Sequence, residues 1–244
     1  MGTQIVAKGA DFSAISFGFA APVTRGLEYW NYFGDSADKT GRNLVVGKSG
    51  VAVVGAPVVN PGYARMTAQS AYVQTAVLDQ AAVTFLAVCR PADLGTTQWR
   101  YPIASIAGGT GAAVGASLAI GTDNAPKVYA SRNNGTSDVA LVTGVAALAS
   151  ATPFGFYAGR VGPAYNRIDD KTRSVSNAGA VTNPRSTPNG QAYRVGSGIY
   201  NTGSQLGVLD ISFAAIFSVE LTDAEIDAVY QRVKAFEAAR GKTI

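Results

Sequence analysis

Between Val51 and Val219 the chain is a succession of short apolar runs, none long enough for a crossover helix. They are Val51–Val54, Tyr63–Thr67, Tyr72–Leu78, Val83–Cys89, Ile103–Ala107, Ser117–Ile120, Lys127–Ser131, Val139–Thr143, Phe154–Val161, Tyr165–Ile168, Tyr193–Val195 and Val208–Val219. Gly, Pro, Asn, Asp and Ser punctuate the gaps at intervals of roughly eight to fourteen residues, the spacing of a sandwich or jelly roll. Without helices between the runs, a parallel α/β sheet is disfavoured. Asn134-Gly135 is a strong hairpin-turn signal. The Gly- and Ala-rich segment Gly108–Gly121 still alternates Val114, Leu118 and Ile120 into a strand. The expected fold is all-β: an antiparallel β-sandwich of jelly-roll type, with an extended N-terminal arm over residues 1–22 and a body over 23–244 that ends in one α-helix.

That helix is written plainly in the closing segment, Leu206–Gly241. Leu209, Ile211, Phe213, Ala215, Phe217 and Val219 alternate with Asp210, Ser212 and Ser218, which predicts a strand buried on one side. Thr222-Asp223-Ala224-Glu225 is a capping box, flanked by Leu221 and Ile226 at the spacing of a hydrophobic staple. Ile226, Val229, Tyr230, Val233 and Phe236 continue a helical stripe, and Gly241 is a suitable terminator, giving a helix over about 223–240.

Hydrophobic residues make up 47% of the 244-residue chain, enough for a sizeable core, whereas charged residues make up only 15%, against about 25% in an average globular protein. So poorly charged a surface suits a subunit packed against neighbours. The net charge of +4 is spread without a basic block, which argues against nucleic-acid binding. Cys89, the single cysteine, lies in an apolar run and reads as a buried inert thiol. With no charged and apolar leader at Met1 and no apolar run near twenty residues, the expectation is a chain made in a cytoplasm, with no membrane insertion. Gly47-Lys48-Ser49 imitates the end of a phosphate-binding loop. The preceding glycine, Gly41, is one residue too far, and the following Val51–Val54 is β-branched rather than helical, so nucleotide binding is rejected.

Tyr72-Val73-Gln74 followed by Val83–Pro91, and then Val195-Gly196, Gly207–Ile211 and Leu221–Ile226, resemble the early strand pair and the closing glycine, strand and helix of the laminin-G-like, concanavalin A-like lectin/glucanase jelly rolls. The opening Ile5–Phe12 resembles a group of phage and prophage structural proteins. The first resemblance implies carbohydrate binding as the common use of the fold, with Trp99, Tyr101, Tyr165 and Tyr200 as stacking faces and Asn134 as a hydrogen-bonding loop residue. Taken singly, each is more ordinarily a matter of strand packing, or for Asn134 of a turn, than of binding.

Enzymatic readings fare worse. There is no histidine, which excludes Ser-His-Asp and Cys-His catalysis and His-ligated zinc. Only four glutamates exist, Glu28, Glu220, Glu225 and Glu237, and no strand carries the alternating carboxylates of the glucanases. Asp169-Asp170 is the single carboxylate doublet and the weak candidate for a metal, although Arg167 and Lys171 beside it favour a neutralised loop. No cofactor is expected. Phe12, Phe17 and Phe19 in the arm need an anchor and are the candidate assembly residues. The sequence reading is thus a non-enzymatic phage virion subunit of tail, baseplate or fibre. Its partners would be copies of itself, a trimer favoured, other virion proteins and host-surface polysaccharide. The alternative is a free lectin or weak glycoside hydrolase.

Overall fold

The computed structural model describes residues 21–95, 97–105, 114–198 and 206–244; Phe12, Phe17, Phe19 and Tyr200 lie outside them. In chain order the elements are β1 (Leu27–Tyr32), α1 (Ala37–Thr40), β2 (Ala52–Val54), β3 (Val58–Asn60), β4 (Tyr63–Thr67), β5 (Tyr72–Leu78), β6 (Val83–Pro91), β7 (Arg100–Ala104) and β8 (Ala116–Ile120). There follow β9 (Pro126–Asn133), β10 (Asp138–Gly144), β11 (Gly155–Val161), β12 (Tyr165–Asp170), β13 (Val175–Ala180), β14 (Ala192–Val195), β15 (Val208–Phe217) and α2 (Asp223–Ala239). Two antiparallel sheets result. One runs β13-β12-β11-β6-β15-β4-β3, with β1 beside β4 along the same edge of β15; the other runs β10-β9-β8-β7-β14-β5-β2. The chain crosses repeatedly between them, and the antiparallel sandwich with one closing helix is as expected.

Between the sheets lies the main core, with Phe85, Cys89, Ile103, Leu118, Val128, Tyr157, Tyr193 and Ile216 among its members. Burial pushes the Cys89 thiol well above its usual range, so it is inert. Gly196 of the closing signature has φ +86°, and a Cβ there would sit 2.4 Å from the Met66 side chain. Only glycine fits both the backbone and the space.

β15 departs from the one-sided strand that its alternation predicts. Leu209 and Ile211 face the inter-sheet core, but Phe213, Ala215 and Phe217 face the opposite side, under α2. The ladder to β6 slips between Ile211, opposite Cys89, and Phe213, opposite Val88, so Ser212 is the extra residue of a β-bulge. One inserted residue reverses every later side chain. Asp210 and Ser212, expected on a solvent face, are fully buried.

The helix stripe needs a similar correction. Ile226, Val229, Tyr230 and Val233 pack on Trp30, Leu86, Phe156 and Phe213, but the next inward residue is Glu237 at 0% exposure, while Phe236 is 38% exposed. Spacing decides this: 226, 230, 233 and 237 repeat on one face, and 236 lies about 100° off 237. Phe236 instead meets the rim, its ring centroid 3.9 Å from that of Tyr32. Glu237 is tolerated because the Ser212 hydroxyl donates to it at 2.5 Å and Lys242 approaches it at 3.0 Å. The bulge and the buried carboxylate are one device, since Ser212 supplies the donor. Thr222 and Glu225 form the capping box reciprocally, and Gly241, at φ +76°, follows the Arg240 cap.

Three short strands escaped the pattern reading. β1 lies in the aromatic stretch Leu27–Phe33, β3 pairs, among the described residues, only with β4, and β13 is an edge strand exposed along nearly all its length. The polar segment Asp35–Gly41 contains α1, capped by the Ser36 hydroxyl. Gly47-Lys48-Ser49 belongs to a turn before a strand, and Lys48 pairs with Glu28 at 2.6 Å.

Candidate functional site

β7, β8 and β9 are neighbours in the seven-stranded sheet. Leu118, Ile120, Val128 and Ala130 point into the sandwich, so the residues between them, Ala119 and Tyr129, point out. Tyr101, Ala104 and Ala119 form a small buried cluster on that outer face, with Trp99 and Tyr129 packed partly buried against it. Trp99 stacks on Tyr101, with centroids 6.2 Å apart and planes at 15°. The Lys127 ammonium stands 5.3 Å from the indole centroid and pairs with Asp123 at 2.7 Å. We call this arrangement the aromatic shelf.

The shelf is held from beneath. A register shift between Arg100 and Ile103 lets Ile103 enter the core while Tyr101 stays outside. The Arg100 side chain, 1% exposed, donates to the Asp93 carbonyl at 2.8 Å and to Asn124 Oδ1 at 3.1 Å, fixing the strand approach to the β8–β9 turn. Desolvation holds the Arg100 pKa below its ordinary value. Tyr101 titrates above its normal range for the same reason, so its hydroxyl stays protonated. Partial burial opposes the charge on Asp123, but the hydrogen bonds from Lys127 and from the Ala125 amide, with the charge of Lys127, together outweigh it and hold the carboxyl below its usual range. A partly exposed indole and phenol beside a lysine and a carboxylate offer what a sugar ring uses: an apolar face to stack on and charged hydrogen-bonding groups at its rim.

The structure brings Trp99 and Tyr101 together and leaves the other sequence candidates apart. Tyr101 is itself buried, so it backs Trp99 rather than offering a free face. Asn134 lies in the β9–β10 turn, where its Oδ1 accepts from the amides of Thr136 and Ser137 at 3.0 and 2.8 Å. That is a turn's own need. Tyr165 is on the eight-stranded sheet, its hydroxyl hydrogen-bonded to Glu220, which raises its pKa. Tyr129 and Lys127 were missed, although their alternation with Val128 and Ala130 is in the sequence.

Asp169 and Asp170 point to opposite faces, as neighbours in a strand must. Asp169 accepts from Arg160 and Arg167, each at 3.0 Å, while Asp170 accepts from Arg173 Nε at 2.6 Å. Neither has the shared opening that a cation needs, and no metal-competent group of three acidic, His or Cys residues occurs among the described residues. Asp79 is the buried polar hub that the sequence did not reveal. It accepts from Arg185, at 2.9 Å to both oxygens, from Ser105 at 3.1 Å and from Tyr193 at 2.7 Å. Asp210 likewise is shared by Arg65 and Arg90, at 2.7 and 3.0 Å.

No protein-family model and no curated protein matches the chain. Solved structures do. Trypanosoma rangeli sialidase in complex with sialic acid aligns with a TM-score of 0.60 at 12% identity, over 94% of this chain and 35% of that one. The binding domain of botulinum neurotoxin DC in complex with SialylT gives 0.59 at 11%, over 85% and 51%. The binding domain of botulinum neurotoxin serotype D gives 0.53 at 13%, over 85% and 51%. The likeness is one of fold. This chain spans between a third and about half of the length of those proteins.

Proposed function

We propose that the protein is a non-enzymatic carbohydrate-binding domain whose ligand stacks on the aromatic shelf. The observation that carries this is the Trp99–Tyr101 stack with Tyr129 beside it and the Lys127–Asp123 pair at its edge. Two fold neighbours were solved with sialic acid or with SialylT, which supports a sugar as the ligand class. Against catalysis stand the arginines that engage Asp79, Asp169, Asp170 and Asp210: carboxylates so engaged are poor proton donors or nucleophiles for glycoside cleavage. The setting we infer is a virion. It rests on the resemblance of Ile5–Phe12 to phage structural proteins and on the low share of charged residues. There the domain would be a homo-trimer presenting the shelf to host-surface polysaccharide, and light scattering on the purified full chain checks the trimer.

The test of the site is a glycan array followed by calorimetry with the best neutral glycan. Trp99→Ala and Tyr129→Ala should each weaken binding about tenfold or more, the worth of one lost stacking face. Unchanged affinity in both, or release of reducing sugar by the wild type, would overturn the reading.

A further inference from the structure

Arg132, near the end of β9, and Arg185, in the segment before β14, face each other as antiparallel backbone partners. The Asn133 amide donates to the Pro184 carbonyl at 3.0 Å and the Ser186 amide to the Ser131 carbonyl at 3.1 Å. That pattern makes the two arginines a non-hydrogen-bonded pair, the kind whose side chains stand closer. Directly opposed residues share a face, and Arg132 continues the inward alternation of Val128 and Ala130. Both side chains are enclosed, Arg132 at 1% exposure and that of Arg185 at 5%.

One carboxylate serves these two cations. Arg185 Nη2 donates to both oxygens of Asp79 at 2.9 Å. Arg132 has no ion pair among the described residues, and its Nη2 donates to neutral acceptors, the Gly162 carbonyl at 2.8 Å and Asn166 Oδ1 at 2.6 Å. The other acids of the neighbourhood are engaged elsewhere. Asp138 accepts from Ser186 Oγ at 2.7 Å and from Asn133 Nδ2 at 3.0 Å, and Glu220 accepts from the Tyr165 hydroxyl. Outside the described residues the sequence has a single acid, Asp11. Burial, and then the charge of Arg185, lowers the Arg132 pKa from its ordinary value, against a weaker pull from Glu220.

Donors are left over as well as charge. Arg132 Nε, Arg132 Nη1 and Arg185 Nε are buried without a hydrogen-bond partner. A buried donor without an acceptor is costly, and a buried charge without a counter-charge more so. Unsatisfied nitrogens on two adjacent guanidinium groups, with one positive charge in excess, call for an acceptor that is itself negative. Water would satisfy the donors and leave the charge.

We infer that this arginine pair binds one small monovalent anion of the chloride class, held by Arg132 Nε and Nη1 and Arg185 Nε. A single excess charge matches a single negative one, whereas sulfate or phosphate would reverse the imbalance and bring a larger dehydration cost into an enclosed place. An acidic sugar is too bulky for donors so deeply buried. The anion would pin one end of the sandwich, because Arg132 belongs to the seven-stranded sheet and its acceptors, Gly162 and Asn166, to the β11–β12 turn and β12 of the other. The site is separate from the aromatic shelf and does not rest on it.

The experiment has two arms, both on the full chain. Crystals grown with bromide in place of chloride, read by anomalous diffraction, should show a peak between the two guanidinium groups. In thermal unfolding at constant ionic strength, replacing about 150 mM gluconate, too bulky for the site, by chloride should raise Tm by about 3–5 °C, the shift for an anion at roughly ten times its Kd. Arg132→Met removes the excess charge and two of the three donors. An apolar side chain of similar length in place of a buried cation often costs little, so this variant should fold and melt alike in both salts. The bromide arm needs no variant. The inference fails if water alone, without anomalous signal, lies between the guanidinium groups, if the wild type melts at the same temperature in both salts, or if Arg132→Met keeps the wild-type shift.

Discussion

The two sheets share an inner core but differ on their outer faces. Outside the eight-stranded sheet stand large side chains, Leu86, Val88, Phe156, Phe213 and Phe217, and α2 covers them. On the corresponding face of the seven-stranded sheet stand small ones, Ala104 and Ala119, with the aromatic residues Trp99, Tyr101 and Tyr129 around them. The strands record this difference. β6 and β11 are buried along almost their whole length because both faces are apolar, whereas in β10 most residues are half-buried or exposed. Bulk on one sheet makes a second core, and smallness on the other makes a floor for a few aromatic rings. We read the first as scaffold and the second as the working surface.

The sharpest way to break that comparison is to truncate one aromatic residue on each side. Phe213 is fully buried, with Trp30 at 4.7 Å edge-to-face and Phe156 beyond it. Phe213→Ala should cost about 3–5 kcal/mol in urea unfolding, the toll of a large cavity. Tyr129→Ala, at a partly exposed ring, should cost less than about 1.5 kcal/mol and act on ligand binding instead. Equal losses of stability would show that the two faces are not different in kind.

Glu237→Ala comes next. It removes the carboxylate that Ser212, Arg240 and Lys242 share, and strands a cation whose pKa burial already lowers. The expected loss is about 2–4 kcal/mol, less than for a fully enclosed pair because Lys242 and Arg240 retain some access to water. Glu237→Gln, which keeps the shape and an acceptor, should recover part of it. A neutral effect of Glu237→Ala would mean that the buried charge contributes nothing to seating α2.

Deleting Ser212 should be milder, although removing a residue from a central strand ordinarily turns every later side chain to the wrong face. Here the deletion removes the bulge and leaves Ile211 opposite Cys89 and Phe213 opposite Val88, as now. The cost should be about 1–2 kcal/mol, chiefly the lost hydrogen bond to Glu237. Loss of cooperative unfolding in the deletion variant would show that the bulge sets the strand's path, not merely its count.

Ser212 also marks where the sequence stops being legible. The architecture was readable because turn residues and short β-branched runs have local causes, and so was the α2 cap, whose four residues satisfy one another. The bulge was not, since Asp210-Ile211-Ser212-Phe213 alternates without a fault and only pairing with β6 reveals the extra residue. Glu237 was passed over because its partners arrive from β15 and from beyond the helix end. Half of the shelf could be found: Trp99 and Tyr101 lie two apart in one segment, whereas Tyr129 joins them only through the β8–β9 pairing. The partners that neutralise Asp79 and Asp210 come from up to 145 residues away, a distance that no local pattern spans.

The smallest expected effect concerns how α2 begins, and it asks whether the cap or the apolar stripe seats the helix. Glu225 Oε2 accepts from the Thr222 amide at 2.8 Å and from Arg25 Nη2 at 2.7 Å, joining the approach to β1 to the helix start. The hydrogen bond from Arg25, followed by that from the Thr222 amide, lowers the Glu225 pKa from 4.5 to about 2. For a depressed carboxylate the stabilisation is complete above the unfolded value, here 4.5, and is lost as pH falls towards 2. Arg25 is half exposed, so water and salt screen the pair and the effect is far smaller than the shift alone would give. Glu225→Gln should therefore cost only about 0.5–1 kcal/mol at pH 7, and the gap to the wild type should close between pH 4.5 and 2 and shrink in high salt. Thermal unfolding of both proteins across that range measures it. A gap that matches the loss from Phe213→Ala would mean that the charged cap seats the helix; a small one that closes in acid leaves that role to Ile226, Val229, Tyr230 and Val233, packed on the face that the bulge turned towards them.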